Sequence, residues 1–251
     1  VSGTFAIGAI LGKLAYNGGA NAVSLLTIRT IAAFGWLLLF LSLQRVSLRM
    51  PAPYRGRALA MGLLLCVQTF GLYSAIEHMA APLALLTFNT YPMLTALFEA
   101  WTGRDPLTRR KLAALIVAFA GLVLALNTGE LHPTAYGVAS ATLGSIAMTA
   151  VLILSVRIFA PSDSRVRTLH MTLTAALVFL IVCVATDAWE TPQTTSGWIG
   201  FLGVCISFPL AVTGMFIGIG KVGPSHTSFL FNFEPIAVVV MSGPILGQAL
   251  S

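Results

Sequence analysis

The chain has 251 residues, of which 57% are hydrophobic and only 9% are charged. This composition leaves too few polar side chains to cover a water-soluble globule, so it excludes a soluble domain and indicates an integral membrane protein. The net charge of +6 raises the alternative of a nucleic-acid partner. The positions of the basic residues along the chain test this alternative.

Apolar stretches long enough to cross about 30 Å of hydrocarbon as helices recur along the whole chain. We predict nine spans, at 1–17, 21–43, 57–78, 82–102, 111–127, 133–159, 167–188, 197–220 and 224–247. Continuous apolar runs favour helices over the alternating strands of a barrel, so the predicted fold class is an all-α integral membrane protein. Because Val1 already lies inside an apolar stretch, we expect the first span to be incomplete.

Lys and Arg residues occupy alternate connections between the predicted spans. The connections after spans two, four, six and eight hold 12 of the 14 basic residues, whereas those around Gly18, Ala80, Gly129 and Thr191 hold none. The positive-inside rule predicts that the basic connections are cytoplasmic, in a multi-pass protein of the inner (cytoplasmic) membrane. Since the basic charge reports topology, we expect no nucleic-acid partner, and we expect the lipid bilayer and a small-molecule substrate instead.

Two Asn-x-x-Pro motifs relate the two halves of the chain. A shift of 143 residues superposes Asn89 and Pro92 on Asn232 and Pro235, and six of the 38 positions from 71 to 108 are then identical. Membrane carriers are often built from internal repeats of this kind. The motifs therefore predict that the chain consists of two homologous repeats.

The predicted domains are a first repeat at 1–127, with spans one to five, and a second repeat at 133–251, with spans six to nine. Because five is odd, the second repeat must enter the membrane in the opposite sense to the first. We therefore predict a bundle of two inverted five-helix repeats. A tenth span, the counterpart of 111–127, is expected although it is absent from this chain.

With these features the chain resembles the drug/metabolite transporter superfamily, specifically its EamA-type ten-span members. The resemblance is carried by Lys13, by Arg29, and by the blocks "YPMLTALFEAWTGRDPLTRRKLAALIVAFAGLVLAL" at 91–126 and "GPSHTSFLFNFEPIAVVVMSGPILGQALS" at 223–251. One departure is Gln248, where an acidic residue is common in the family. The resemblance implies a carrier that exports or exchanges amino acids, drugs or other small metabolites.

Glu234 lies about halfway along the ninth predicted span. A charged side chain near the bilayer centre costs about 2.5–3.5 kcal/mol, so it usually faces the bundle interior or a water-filled cavity. Two interpretations stay open: a ligand or proton site at the repeat interface, and a carboxylate that bonds a neighbouring helix. Its repeat counterpart is Tyr91, which places a neutral phenol and a carboxylate at equivalent depths.

Pro92 and Pro235 are predicted helix-breaking residues, because proline removes a backbone donor and frees a carbonyl near the membrane midplane. The freed groups either line a site or mark a kink that neighbouring groups satisfy. Asn89 and Asn232 are candidates for binding a ligand, although hydrogen bonding between helices is the favoured interpretation.

Arg29, like Glu234, is a charged residue deep within a predicted span, the second, where burying a charge is costly. Its guanidinium group keeps its proton at any accessible pH. It needs a partner, for which Glu234 and backbone carbonyls are the candidates, and a structural role is favoured over ligand binding. Tyr73 and Gln68 on the third span are further candidate site residues. Lys13 is expected to reach the outer interface with its long stem.

No catalytic motif, nucleotide-binding loop or soluble domain is visible in the sequence, so we expect no enzyme activity, no metal and no cofactor. The energy source must then be a gradient. The sequence predicts a secondary transporter that works by alternating access, in the export direction, with proton coupling left open. The alternatives are an uncoupled facilitative carrier and, from other classes, a non-transporting sensor or subunit or a membrane-embedded enzyme. A homodimer through small-residue helix faces also stays open.

Overall fold

The computed structural model describes residues 2–103, 108–109, 112–113, 116–117, 120, 133–158, 164–231, 238 and 241. The helices are α1 (Ser2–Asn17), α2 (Ala22–Leu43), α3 (Ala52–His78), α4 (Ala81–Phe88), α5 (Tyr91–Trp101), α6 (Ala135–Ile158), α7 (Ser164–Ala185) and α8 (Thr195–Phe231). No strand occurs within these residues. The prediction of an all-α protein is confirmed for this part of the chain.

Six stretches of these helices are long and apolar enough to cross a membrane. They are α2, α3, α4 together with α5, 135–154 of α6, 165–185 of α7, and 195–214 of α8. Large apolar side chains on their outer surfaces are solvent-exposed, including Leu39, Ile181 and Ile206, as expected of helices that face lipid. The chain is therefore a multi-pass membrane protein. The count of nine spans stays a prediction, because the fifth and ninth fall mainly outside the described residues.

The predicted connection at Lys221 is wrong. The sequence predicts a span that ends at residue 220 and another that begins at 224, but α8 continues without interruption from Thr195 to Phe231. Gly223 and Pro224 are typical of a connection, but a continuous helix satisfies most of its own backbone hydrogen bonds in the membrane. Its 37 residues give a length of about 56 Å, well beyond the hydrocarbon core. One of the four predicted cytoplasmic connections is therefore part of a helix.

Side-chain caps explain where three of the helices begin. The Asn21 carboxamide oxygen accepts from the Ser24 N–H at 2.8 Å at the start of α2. Thr134 and Thr194 accept from the N–H groups of Gly137 and Gly197, each at 3.0 Å, at the starts of α6 and α8. Such caps satisfy backbone donors that have no partner within the helix.

The helices of the two halves pack against each other reciprocally. The most extensive contacts join α3 to α6 and α1 to α8, and α2 packs along α7. Glycines bring the paired backbones together: a Cβ atom on Gly71 or on Gly200 would lie 2.5 Å from a carbonyl oxygen of the facing helix. In each half the third helix meets the first helix of the other half. Two repeats related by a pseudo-two-fold axis would produce this pattern, although the inverted repeat stays a prediction.

Two of the connections that lack basic residues meet at one end of the bundle. The backbone N–H of Gln193, between α7 and α8, donates to the Gly18 carbonyl oxygen at 2.7 Å. Asn21 donates to the Ala188 carbonyl oxygen at 3.2 Å in the same region. Polar contacts between the α1–α2 and α7–α8 connections therefore join the two halves at this end.

Candidate functional site

Arg29 is the largest fully buried side chain of the described residues, with 1% of its surface exposed. It lies on α2 about 10 Å from the first residue of that helix. Its guanidinium carbon is 4.0 Å from the centroid of the Tyr73 ring and 3.9 Å from that of the Phe208 ring. The guanidinium group is therefore in close contact with two aromatic rings, one from α3 in the first half and one from α8 in the second.

The hydrogen-bonding capacity of this guanidinium is not satisfied. The Arg29 Nε atom is buried and, among the described residues, has no hydrogen-bond partner. In the same part of the chain, no Asp or Glu carboxylate lies within 4 Å of the guanidinium nitrogens. Each stacked ring contributes about 0.5–2 kcal/mol in a desolvated site, but a ring over the face of the group does not accept from the N–H bonds in its plane. The site holds a buried positive charge whose Nε–H lacks an acceptor among the described residues.

The two rings are themselves supported by α1. A Cβ atom on Gly12 would lie 3.2 Å from the Tyr73 ring, so the ring packs closely against the α1 backbone at this glycine. The Phe5 ring meets the Phe208 ring edge to face, with centroids 6.4 Å apart. Three helices thus hold both rings in place around the guanidinium group.

A cavity of about 560 Å³ lies between α2 and α8, next to this stack. Its lining residues are apolar or small, namely Ala32, Gly35, Trp36, Leu39, Cys205, Ile206, Pro209 and Leu210. Ala32 follows Arg29 by three residues on α2, and Cys205 precedes Phe208 by three on α8, so the cavity begins about one helical turn from the stack. Its outer side chains are among the exposed apolar residues, so the cavity opens towards the lipid.

The predicted fourth span is broken at Asn89 and Thr90, between α4 and α5 and just before Pro92. Side chains satisfy the backbone at this break. Thr149 of α6 donates to the Tyr91 carbonyl oxygen at 3.2 Å, and the Thr90 hydroxyl hydrogen-bonds with the Ser145 hydroxyl at 2.8 Å. Both contacts cross between the halves, so the second half holds the break in the first.

Of the predicted site residues, Arg29 and Tyr73 are in direct contact. Tyr91 is buried in the same apolar cluster as Tyr73. Gln68 precedes Tyr73 by five residues, which turns it by about 140° on α3, and it accepts from Thr69 at 3.1 Å. The structure does not bring Gln68 to the Arg29 stack.

Asn89 is expected to hydrogen-bond a neighbouring helix, and the structure differs. Its side-chain amide donates at 2.8 Å to the Leu85 carbonyl oxygen of its own span. The same carbonyl oxygen also accepts from the Asn89 backbone N–H at 2.8 Å, so the amide adds a second bond at the end of α4. Asn232, Glu234 and Pro235 lie outside the described residues.

Lys13 also differs from the expectation that its side chain reaches the outer membrane interface. Its Nζ donates to the carbonyl oxygens of Ile76, Glu77 and Met79 at 2.8, 3.3 and 3.0 Å. It therefore caps the C-terminus of α3, where a cation is favoured by the helix dipole. The carbonyl oxygens at the end of α3 lack partners within the helix, so they offer the ammonium group a closer set of acceptors than the membrane interface.

Sequence reasoning missed Glu77, Tyr16 and Phe208. The Glu77 carboxylate accepts from the Ala22 N–H at the start of α2 at 3.3 Å, and its position at the end of an apolar run was a usable signal. The Tyr16 hydroxyl is buried and, within the described residues, has no hydrogen-bond partner. Phe208 carries no signal in the sequence, because one phenylalanine in an apolar helix resembles any other.

The apolar helices define a polytopic membrane protein. The chain matches the EamA-like transporter family over residues 1–127 and 135–251, and it belongs to that family. The predicted resemblance is thereby confirmed, and a transporter of the drug/metabolite type is indicated. No curated protein matches the chain.

Proposed function

We propose that the protein is a secondary carrier that moves small metabolites across the cytoplasmic membrane by alternating access, in the export direction. The observation that carries this proposal is the Arg29 guanidinium group, buried between a ring from each half with an unpartnered N–H at its edge. Membership of a transporter family supports it independently.

The energetics of Arg29 favour a binding role over a purely structural one. A buried charge is costly unless it is paired and hydrogen-bonded. The two rings offset part of this cost, but the Nε–H is left without an acceptor in the described residues. A ligand that supplies the missing acceptor gains a hydrogen bond, and no existing hydrogen bond of Nε has to break first. The site is in this sense preorganised for binding.

The contacts between the halves suit a rocking motion. Between α3 and α6 and between α1 and α8, glycines allow the backbones to approach closely. At the end of the bundle near Gly18, a few hydrogen bonds close the halves against each other. Opening that end requires these bonds to break, whereas the glycine contacts permit small sliding displacements.

Glu234 completes the proposed mechanism as the residue that carries a coupled proton or binds a cationic group of the substrate. Its sequence position equivalent to Tyr91 supports this role, because Tyr91 lies buried beside the broken span. Asn232 and Pro235 would form the corresponding break in the second half. The basic connections are proposed to be cytoplasmic.

The test is flux through the full-length protein in liposomes, with a panel of labelled amino acids, amines and monocarboxylates, with and without an imposed pH gradient. We expect gradient-driven flux in the wild type, its loss in Glu234→Gln, and its retention in Glu99→Gln, a matched carboxylate near the end of α5. Normal transport by Glu234→Gln across pH would contradict coupling at that residue.

Other outcomes identify the alternatives. Flux that the pH gradient does not accelerate indicates a facilitative carrier. Binding without flux indicates a sensor or subunit, and a chemically altered product indicates an enzyme.

A further inference from the structure

We propose that Arg29 is a substrate subsite that binds a carboxylate at the edge of its guanidinium group, and that the substrate is a monocarboxylate whose apolar body occupies the α2–α8 cavity. This inference rests on the proposed function and names the class of molecule carried.

The stacking geometry restricts how a ligand approaches Arg29. The Tyr73 and Phe208 rings both lie against the guanidinium group, whose carbon is 4.0 and 3.9 Å from the ring centroids. They occupy space around the cation, whereas the Nε–H at its edge is left without a partner among the described residues. The ligand group must therefore be one that interacts with the edge of a guanidinium rather than with its face.

The edge offers a pair of parallel N–H donors, from Nε and the neighbouring terminal nitrogen. This pair matches the two oxygens of a carboxylate, and such bidentate charge-assisted bonds are about twice as strong as neutral ones. The Nε–H is buried and unpartnered among the described residues. Since the rings hold the guanidinium group in place, little rotamer entropy is lost when a carboxylate binds.

The positive charge of Arg29 favours a negatively charged ligand. Within the described part of the chain, no carboxylate lies within 4 Å of the Arg29 nitrogens. An anionic ligand neutralises the buried cation, whereas a neutral amide provides a single weaker acceptor and an amine adds a second positive charge. The site should therefore favour a carboxylate over its amide, even when the rest of the molecule is identical.

The cavity next to the stack determines what the carboxylate is attached to. It has a volume of about 560 Å³ and is lined by apolar or small residues of α2 and α8. It begins about one turn from Arg29 along α2, so a ligand with its carboxylate on Arg29 directs a short apolar chain into it. A second charged group on that chain would be desolvated without a partner.

The experiment measures binding and flux separately, using the full-length protein. The probes are 4-methylpentanoate, 4-methylpentanamide and acetate: the first has the apolar body and the carboxylate, the second replaces the carboxylate by an amide, and the third lacks the apolar body. Equilibrium dialysis of the purified protein gives affinities, and proteoliposomes give flux. We expect 4-methylpentanoate to bind and cross, acetate to bind weakly, and 4-methylpentanamide to do neither.

Variants test the two parts of the site. Arg29→Lys keeps the charge but loses the paired donors, so we expect a loss of about 10- to 100-fold in 4-methylpentanoate affinity. Arg57→Gln, at an exposed arginine in α3, should bind like the wild type. A Cβ atom at Gly35 would meet no atom within 4 Å, so the Gly35→Leu variant should fold and its side chain should fill the cavity. It should weaken the binding of 4-methylpentanoate and leave the binding of acetate unchanged.

Failure of this inference and failure of the proposed function give different results. If amines or amides cross and carboxylates have no advantage, the carrier function stands and the carboxylate site is overturned. If carboxylates bind in an Arg29-dependent way but nothing crosses, the carrier function is overturned and the site stands. Unchanged affinity in Arg29→Lys, or no binding of 4-methylpentanoate, overturns the site, and equal binding by Gly35→Leu overturns the assignment of the cavity.

Discussion

The backbone N–H of Gln193 donates to the carbonyl oxygen of Gly18 at 2.7 Å, and this bond joins the connection between α1 and α2 to the connection between α7 and α8. Beside it, the Gly18 and Gly197 backbones are in direct contact. The two halves of the bundle are therefore closed against each other at this end by main-chain contacts, which any added side chain would disturb.

Gly18→Ala should open or destabilise this end. A Cβ atom on Gly18 would lie 2.5 Å from the Gly197 Cα, and insertion of a methyl group into a packed contact costs about 1–3 kcal/mol. Thermal unfolding of the purified protein should show a lower Tm. Gly35→Ala is the control, because its Cβ meets nothing within 4 Å, and a helical Gly to Ala change stabilises by up to about 1 kcal/mol. Equal Tm changes in both variants would contradict the contact.

Lys13→Met should destabilise the protein, because it removes an ammonium group that donates to three carbonyl oxygens at the end of α3. Loss of charge-assisted hydrogen bonds in a partly buried site costs about 1.5–3 kcal/mol. Lys13→Arg retains donors and charge, so it should recover most of the stability. A Tm for Lys13→Met equal to that of the wild type would show that the cap contributes nothing.

Thr149→Val should weaken the support of the broken span. The substitution keeps the shape of the side chain but removes the hydroxyl that donates to the Tyr91 carbonyl oxygen, at a cost of about 1 kcal/mol. The matched control is Thr142→Val on the same helix, whose exposed hydroxyl bonds only within α6 among the described contacts. Denaturant unfolding compares the two, and a larger loss in the control would refute this role.

Phe208→Leu should reduce carboxylate affinity by more than its effect on folding explains. It removes one of the two rings that contact the Arg29 guanidinium group, an interaction of about 0.5–2 kcal/mol. We expect the dissociation constant for 4-methylpentanoate to rise 2- to 10-fold. Phe201→Leu removes another ring of α8, which meets Trp198 edge to face instead, so it should lower Tm without the loss of affinity.

The sequence predicts those features that depend on a single unusual residue. Arg29 is visible in the sequence as a charge inside an apolar helix, and the structure has a buried cation there. Pro92 is visible as a proline inside a predicted span, and the structure has a break in the helix just before it. The partner of Arg29 on α8 could not be predicted, because Phe208 is 179 residues away and its type is common in membrane helices.

The continuity of α8 was mispredicted for a related reason. Lys221 and the Gly223-Pro224 pair are typical of a connection, yet neighbouring backbone hydrogen bonds sustain the helix through them. Local residue type indicates where a helix is weak, whereas its surroundings decide whether it ends there.

The reciprocal packing of the halves has a consequence for how the protein is made. The main partner of α1 is α8, which begins at Thr195. At about 5–20 residues per second, α1 waits roughly 10–40 s after its own synthesis before its partner exists. During that interval its glycine-lined face is covered by lipid or by an assembly factor, so the first half cannot reach its final packing until most of the second has entered the membrane.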